Sequence, residues 1–225
     1  MAILTVQKHK LPRRLLSCFS ILFISLNLHS PAYTKEAVTT PTAAAIASAH
    51  PIATQAGFHI LKQGGNAFDA AIAVASTLSV VEPYSAGLGG GGFWLIHQAK
   101  TNKQIMIDAR EKAPGQASAN MYLDEQGNVD RDKAINGPLA AGIPGQVAAF
   151  VHLAKQYGKL PLSTSLAPAI AAAQNGFSVN PIYQRLVSFR LPVLKQYKDS
   201  NAIFLINGKI PIIGDSIDKR RCSKQ

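Results

Sequence analysis

Gly87-Leu-Gly-Gly-Gly-Gly92-Phe-Trp-Leu-Ile-His97 leads through a polar turn at Thr101-Asn102-Lys103 into Gln104-Ile-Met-Ile-Asp108-Ala-Arg110-Glu-Lys-Ala-Pro114. Phe93 to His97 and Gln104 to Asp108 are short apolar runs on either side of that turn, which predicts a β-hairpin. The four consecutive glycines after Leu88 let backbone lie against backbone with no Cβ between, so something is packed or bound tightly at the hairpin's entry. Arg110 follows the second strand by two residues. Its planar fork can grip a carboxylate through two parallel hydrogen bonds, which a lysine cannot imitate.

Gly87, Gly89 and Gly92 match GxGxxG literally, but a dinucleotide fingerprint follows a strand and opens a helix. This run follows a helix and opens a strand. No Gly-Lys-Ser or Gly-Lys-Thr follows it, so a phosphate loop is excluded as well. The histidines at 50, 59, 97 and 152 lack metal-binding helix spacing and have no acid at motif spacing, and no Gly-x-Ser-x-Gly elbow is present. Arg110 keeps two readings open, an ordinary salt bridge to Asp108 or Glu111, or a carboxylate ligand.

Working outward, Pro51 suits a first helical turn, and Ala53, Ala56, Ile60 and Leu61 recur at helical spacing until Gly64-Gly65. Asn66 is an N-cap for a second helix, with Asp69 in its first turn and Ala70, Ala71, Val74, Leu78 and Val81 as its buried face up to Pro83. Met121 to Asn136 is a polar surface excursion. Three further helices are expected, over about 144–157, over 163–175 and from Pro181. A second hairpin is expected over 202–213 around Asn207-Gly208. Helices, a strand pair and then more helices predict an α+β fold rather than βαβ alternation.

The chain has 225 residues, 47% of them hydrophobic and 16% charged, enough for one globular core. Its net charge of +11 sits mostly at the ends, four basic residues within 1–32 and four within 219–225, leaving +3 for 33–218. That near-neutral body, without interleaved aromatic and basic residues, argues against nucleic-acid binding. Lys8 to Arg14 reads as a positive n-region, Leu15 to Leu28 as an apolar h-region and Ser30-Pro31-Ala32 as a cleavage site. Residues 1–32 are therefore expected to be a signal peptide, 33–49 a flexible lead-in, 50–217 the folded domain and 218–225 an off-pattern basic tail. The alternative to cleavage is a retained membrane anchor, but the apolar run is short for a span, so no stable membrane insertion is expected. Cys18 lies in the leader, so the mature chain keeps only Cys222 and has no intrachain disulfide.

Ala49-His-Pro-Ile-Ala-Thr, Gly64-Gly-Asn-Ala-Phe-Asp-Ala-Ala-Ile-Ala73, Gly89-Gly-Gly-Gly-Phe93 and Asp108-Ala-Arg-Glu-Lys-Ala-Pro114 resemble the large subunit of γ-glutamyltransferases (glutathione hydrolases). Gly142-Ile-Pro-Gly145 and Tyr157-Gly158 continue the likeness to about Gly214-Asp215. The resemblance implies an exported precursor, periplasmic or extracellular, that cleaves itself into two subunits of an N-terminal-nucleophile αββα sandwich. It implies γ-glutamyl compounds such as glutathione as substrates, no cofactor, and Arg110 as the group that holds the substrate α-carboxylate. The family's nucleophile, a threonine at the start of the small subunit, has no counterpart here, so no catalytic residue is assigned. The off-pattern ending after Ile217 is expected to mark a large subunit cut short by a frameshift, an early stop or a split gene, inactive alone, with the missing small subunit a partner if it is encoded separately. The alternatives are a noncatalytic exported pseudo-subunit or gene remnant, and a related cephalosporin-type acylase.

Overall fold

The computed structural model describes residues 43–218, so the expected leader, the expected lead-in as far as residue 42 and the expected tail from 219 lie outside the described residues. The described residues from Ala45 to Asp218 belong to one compact unit. Its first helix, α1, spans Pro51–Lys62 and is capped by His50, whose Nδ1 accepts from the Ile52 amide at 3.2 Å. Gly64, at φ +88°, turns the chain out of α1 while the Gly65 amide donates back to the Ile60 carbonyl. Helix α2 follows over Ala67–Val81 with the expected Asn66 cap, and Asp69 completes a capping box.

Asp69 does more than complement the helix dipole. It is fully buried, and its carboxylate accepts from the amides of Asn66 at 2.9 Å, Lys159 at 3.0 Å and Leu160 at 3.4 Å. The Asn66 side chain meanwhile donates to the Tyr157 carbonyl at 2.6 Å. These bonds fasten the start of α2 to the turn between α4, Gln146–Gln156, and α5, Leu162–Asn175. Gly158 makes the approach possible, because a Cβ there would stand 2.6 Å from Asp69 Oδ1.

The buried face of α2 is wider than its sequence stripe. Ala70 and Val81 are buried as expected, but Ala71, Val74 and Leu78 are only half-buried, while Ile72, Ala73, Ser76 and Thr77 are wholly enclosed. The helix packs on α1 on one flank and on α4 and α5 on the other, and a helix with neighbours on several sides has no single buried stripe.

The expected hairpin is present as β1, Phe93–Gln98, antiparallel to β2, Lys103–Asp108, with Leu95 opposite Met106 and Phe93 opposite Asp108. Its inner residues Trp94, Ile96, Ile105 and Ile107 pack on Ile72, Phe150 and Leu153. The outer face stays apolar and open, with Leu95 78%, Met106 67% and Phe93 61% exposed. The polar excursion contains one short helix, α3, Arg131–Ile135, capped by the Asp130 carboxylate.

Around Asn207-Gly208 the structure corrects the sequence reading. The turn forms, with φ of 52° and 70°, but its flanks make only the Ile206–Lys209 bridge. Residues 198–204 are helix α7, Lys198–Phe204, and the chain beyond the turn pairs elsewhere, as β4, Ser216–Ile217, against β3, Phe177–Ser178. The cause is burial: Leu205, Ile217, Phe177 and Val179 enclose Tyr183 of α6, Pro181–Gln196, and local turn propensity cannot outweigh that cluster. Burial pushes the Tyr183 hydroxyl up to about 12.

Two outcomes follow for stability. Asp69→Asn puts an NH2 donor among three amides that need an acceptor, so urea unfolding is expected to show a loss of about 2–3 kcal/mol. Burial holds His50 below its ordinary 6.5, with the Glu82 carboxylate pulling partly the other way. Because the folded state disfavours the proton, the His50 contribution is full above about 6.5 and is lost as pH falls below it. His50→Asn, which keeps an N-cap but cannot titrate there, should flatten that part of the melting-temperature profile.

Candidate functional site

Strand β2 ends at Asp108, and the next four residues carry the candidate site. The hairpin ladder runs one pair further, with Ala109 donating to the Gly92 carbonyl at 2.9 Å and Gly92 donating to the Ala109 carbonyl at 3.2 Å. On the other side, Lys112 and Ile143 exchange backbone hydrogen bonds at 3.1 and 2.8 Å, and the Gln146 amide donates to the Gly90 carbonyl at 3.1 Å. Residues 109–112 are thus held between the glycine run and the Gly142-Ile-Pro-Gly145 loop that opens α4.

Glycine is required in both loops by contact. A Cβ on Gly91 would strike the Ala109 carbonyl oxygen and stand 2.9 Å from Arg110 Cα. One on Gly145 would strike the same oxygen and reach Arg110 O at 2.9 Å. Backbone cannot step aside as a side chain can. Within the glycine run it is therefore Gly91 that the packing at the start of the strand requires, while Gly89 and Gly92 meet nothing within 4 Å. The matching part of Gly142 and Gly145 is not legible from local pattern, although paired glycines around Ile-Pro are the available signal.

Arg110 leaves this clamp with its side chain 56% exposed, its Nε 3.4 Å from Glu111 Oε2. Its amide donates to Asp108 Oδ1 at 3.0 Å. Of the two neighbouring acids, Glu111 is the ion-pair partner, while Asp108 braces the backbone. A half-exposed pair of this kind is worth little to stability. Among the described residues, the Nη edge of the guanidinium has no partner. Arg110 lines an open cleft of about 440 Å³ together with Ile107, Lys112, Ile143, Pro144, Gly145, Ala148 and His152. Lys112 and His152 at this cleft were not singled out by sequence, because only the fold brings α4 beside the end of β2.

Residues 53–225 match the family model described as Gamma-glutamyltranspeptidase. A glutathione hydrolase proenzyme of Escherichia coli is 42% identical over 180 residues, covering 80% of this chain and 31% of that protein. The crystal structure of Helicobacter pylori gamma-glutamyltranspeptidase superposes with a TM-score of 0.77 at 35% identity, over 84% of this chain and 54% of the solved one. A cephalosporin acylase from Bacillus halodurans gives 0.63 at 29% identity, over 81% of this chain and 37% of the solved one. The chain thus spans about a third of the length of the curated relative it matches. Its fold class is α+β of the N-terminal-nucleophile type.

The glycine contacts separate two neighbouring substitutions. Gly91→Ala is expected to cost about 1–3 kcal/mol by overpacking and to open the Arg110–Lys112 segment to trypsin. Gly92→Ala, whose Cβ would meet nothing within 4 Å, should leave both the melting temperature and the tryptic pattern unchanged.

Proposed function

We propose that this chain, which belongs to the gamma-glutamyltranspeptidase family, supplies the carboxylate-binding half of a site that transfers the γ-glutamyl group of glutathione and related compounds to water or an amine. The observation that carries this reading is Arg110: its backbone is clamped on both sides, one edge of its guanidinium is paired with Glu111, and the rest lies at a cleft. A guanidinium held this way grips the α-carboxylate of the donor, so the γ-carbonyl at the other end of the glutamyl unit is presented at a reproducible distance.

The reacting nucleophile in this reading is a threonine at the start of a separate small subunit. Its hydroxyl attacks the γ-carbonyl, its own α-amino group takes the proton, and the amine of cysteinylglycine leaves with a proton. Water or an acceptor amine then attacks the γ-glutamyl ester and regenerates the threonine. The apolar outer face of the hairpin, with Leu95, Met106 and Phe93 uncovered, supports a complementary chain packing there. Export to the periplasm or the extracellular space is part of the same proposal and rests on the basic and apolar pattern of residues 8–32.

The 225-residue chain alone is expected not to hydrolyse a γ-glutamyl anilide, and turnover by the purified chain would overturn the assignment of the nucleophile. Binding is the second arm. Arg110→Lys, which keeps the charge and loses the fork, should weaken binding of a γ-glutamyl compound roughly tenfold or more in a titration. Unchanged affinity would remove Arg110 from the site.

A further inference from the structure

Glu111 lies in a slot whose walls are two glycines. A Cβ on Gly90 would stand 3.2 Å from Glu111 Oε1, and one on Gly142 would stand 2.9 Å from Glu111 Cβ and 3.7 Å from its Cγ. Neither glycine adopts a positive φ, so neither is needed there for a left-handed backbone. What both positions share is closeness to the Glu111 side chain. Glu111 is 28% exposed against 56% for Arg110, so the acid is the tucked partner and the arginine the presented one.

We infer that Gly90 and Gly142 are positioning residues that act on Arg110 through Glu111. The empty space at these two positions lets the Glu111 carboxylate settle against Nε, at 3.4 Å, and among the described residues the Nη groups make no hydrogen bond, which leaves them for an incoming carboxylate. A half-exposed arginine without this brace samples several rotamers, and binding must then meet the entropy of ordering it. A methyl group on Gly90 meets the carboxylate end of Glu111, whereas one on Gly142 meets the stem and also approaches the Lys112 carbonyl at 3.2 Å. Gly90→Ala is therefore the cleaner probe. The inference rests on Arg110 being the carboxylate ligand, and its test is arranged so that the two stand or fall separately.

The experiment follows the Arg110 Nε–H resonance in the ¹⁵N-labelled 225-residue chain, assigned by its disappearance in Arg110→Lys. Glu111→Ala and Gly90→Ala are each expected to shift it, and Gly90→Ala should add nothing further in the Glu111→Ala background. An unmoved resonance in Gly90→Ala, or an equal shift with alanine at 111, overturns the inference. Gly142→Ala should shift it in the same direction, and if that variant does not fold, Gly90→Ala decides alone. Titration with L-glutamate then reads the consequence, a weakening of roughly two- to fivefold in Gly90→Ala, the span of a half-exposed ion pair. Failure of wild type to bind the probe counts against the ligand role of Arg110 and leaves the resonance result standing.

Discussion

The buried carboxylate of Asp69 is the interaction on which the helical layer depends. A charge with no exposure to water is tolerable only when every oxygen is answered, and here three backbone amides from two distant segments answer it. Two of the three bonds join residues 90 and 91 positions apart in sequence, so they fix the start of α2 relative to the α4–α5 turn. Asn66 doubles the link from the same cap, through its own side chain and the Tyr157 carbonyl. A capping box, usually a local device, has become a tertiary one.

That layer in turn supports the hairpin. Ile72 of α2 and Phe150 and Leu153 of α4 form the floor on which Trp94, Ile96, Ile105 and Ile107 rest. Once β2 is seated, its continuation passes between the glycine run and the start of α4, at distances that exclude any side chain on Gly91 or Gly145. The position of Arg110 is therefore set by backbone contacts, the stiffest kind available, while its side chain stays half exposed. Rigidity below and access above is the arrangement a ligand-binding arginine needs.

The family relationship and this geometry bear on different questions. Sequence likeness over residues 53–225 establishes the family. The clamp fixes the backbone of Arg110 between two loops, and the hairpin leaves an apolar outer face open to solvent. Neither Leu95 nor Met106 has a partner within the sheet that would remove it from water, since each faces outward beside the other.

Much of this was legible in the sequence, because it depends on local chemistry. Pro51 and Asn66 mark helix starts, Gly64 marks a stop, two short apolar runs across a polar turn mark the hairpin, and an arginine after a strand beside two acids marks the candidate site. Where local preference met non-local burial it failed: Asn207-Gly208 makes its turn, yet its flanks pair elsewhere because Tyr183 must be enclosed. The α2 face was misjudged for the same reason, since a stripe cannot show that neighbours lie on several sides. The sequence by itself determined the family, the order of elements as far as about residue 196, and which arginine stands after the second strand. Only the tertiary structure decided which acid pairs with it, and that Gly91 and Gly145 both close on the Ala109 carbonyl. Those facts are distances between segments far apart in the chain, and no periodicity encodes them.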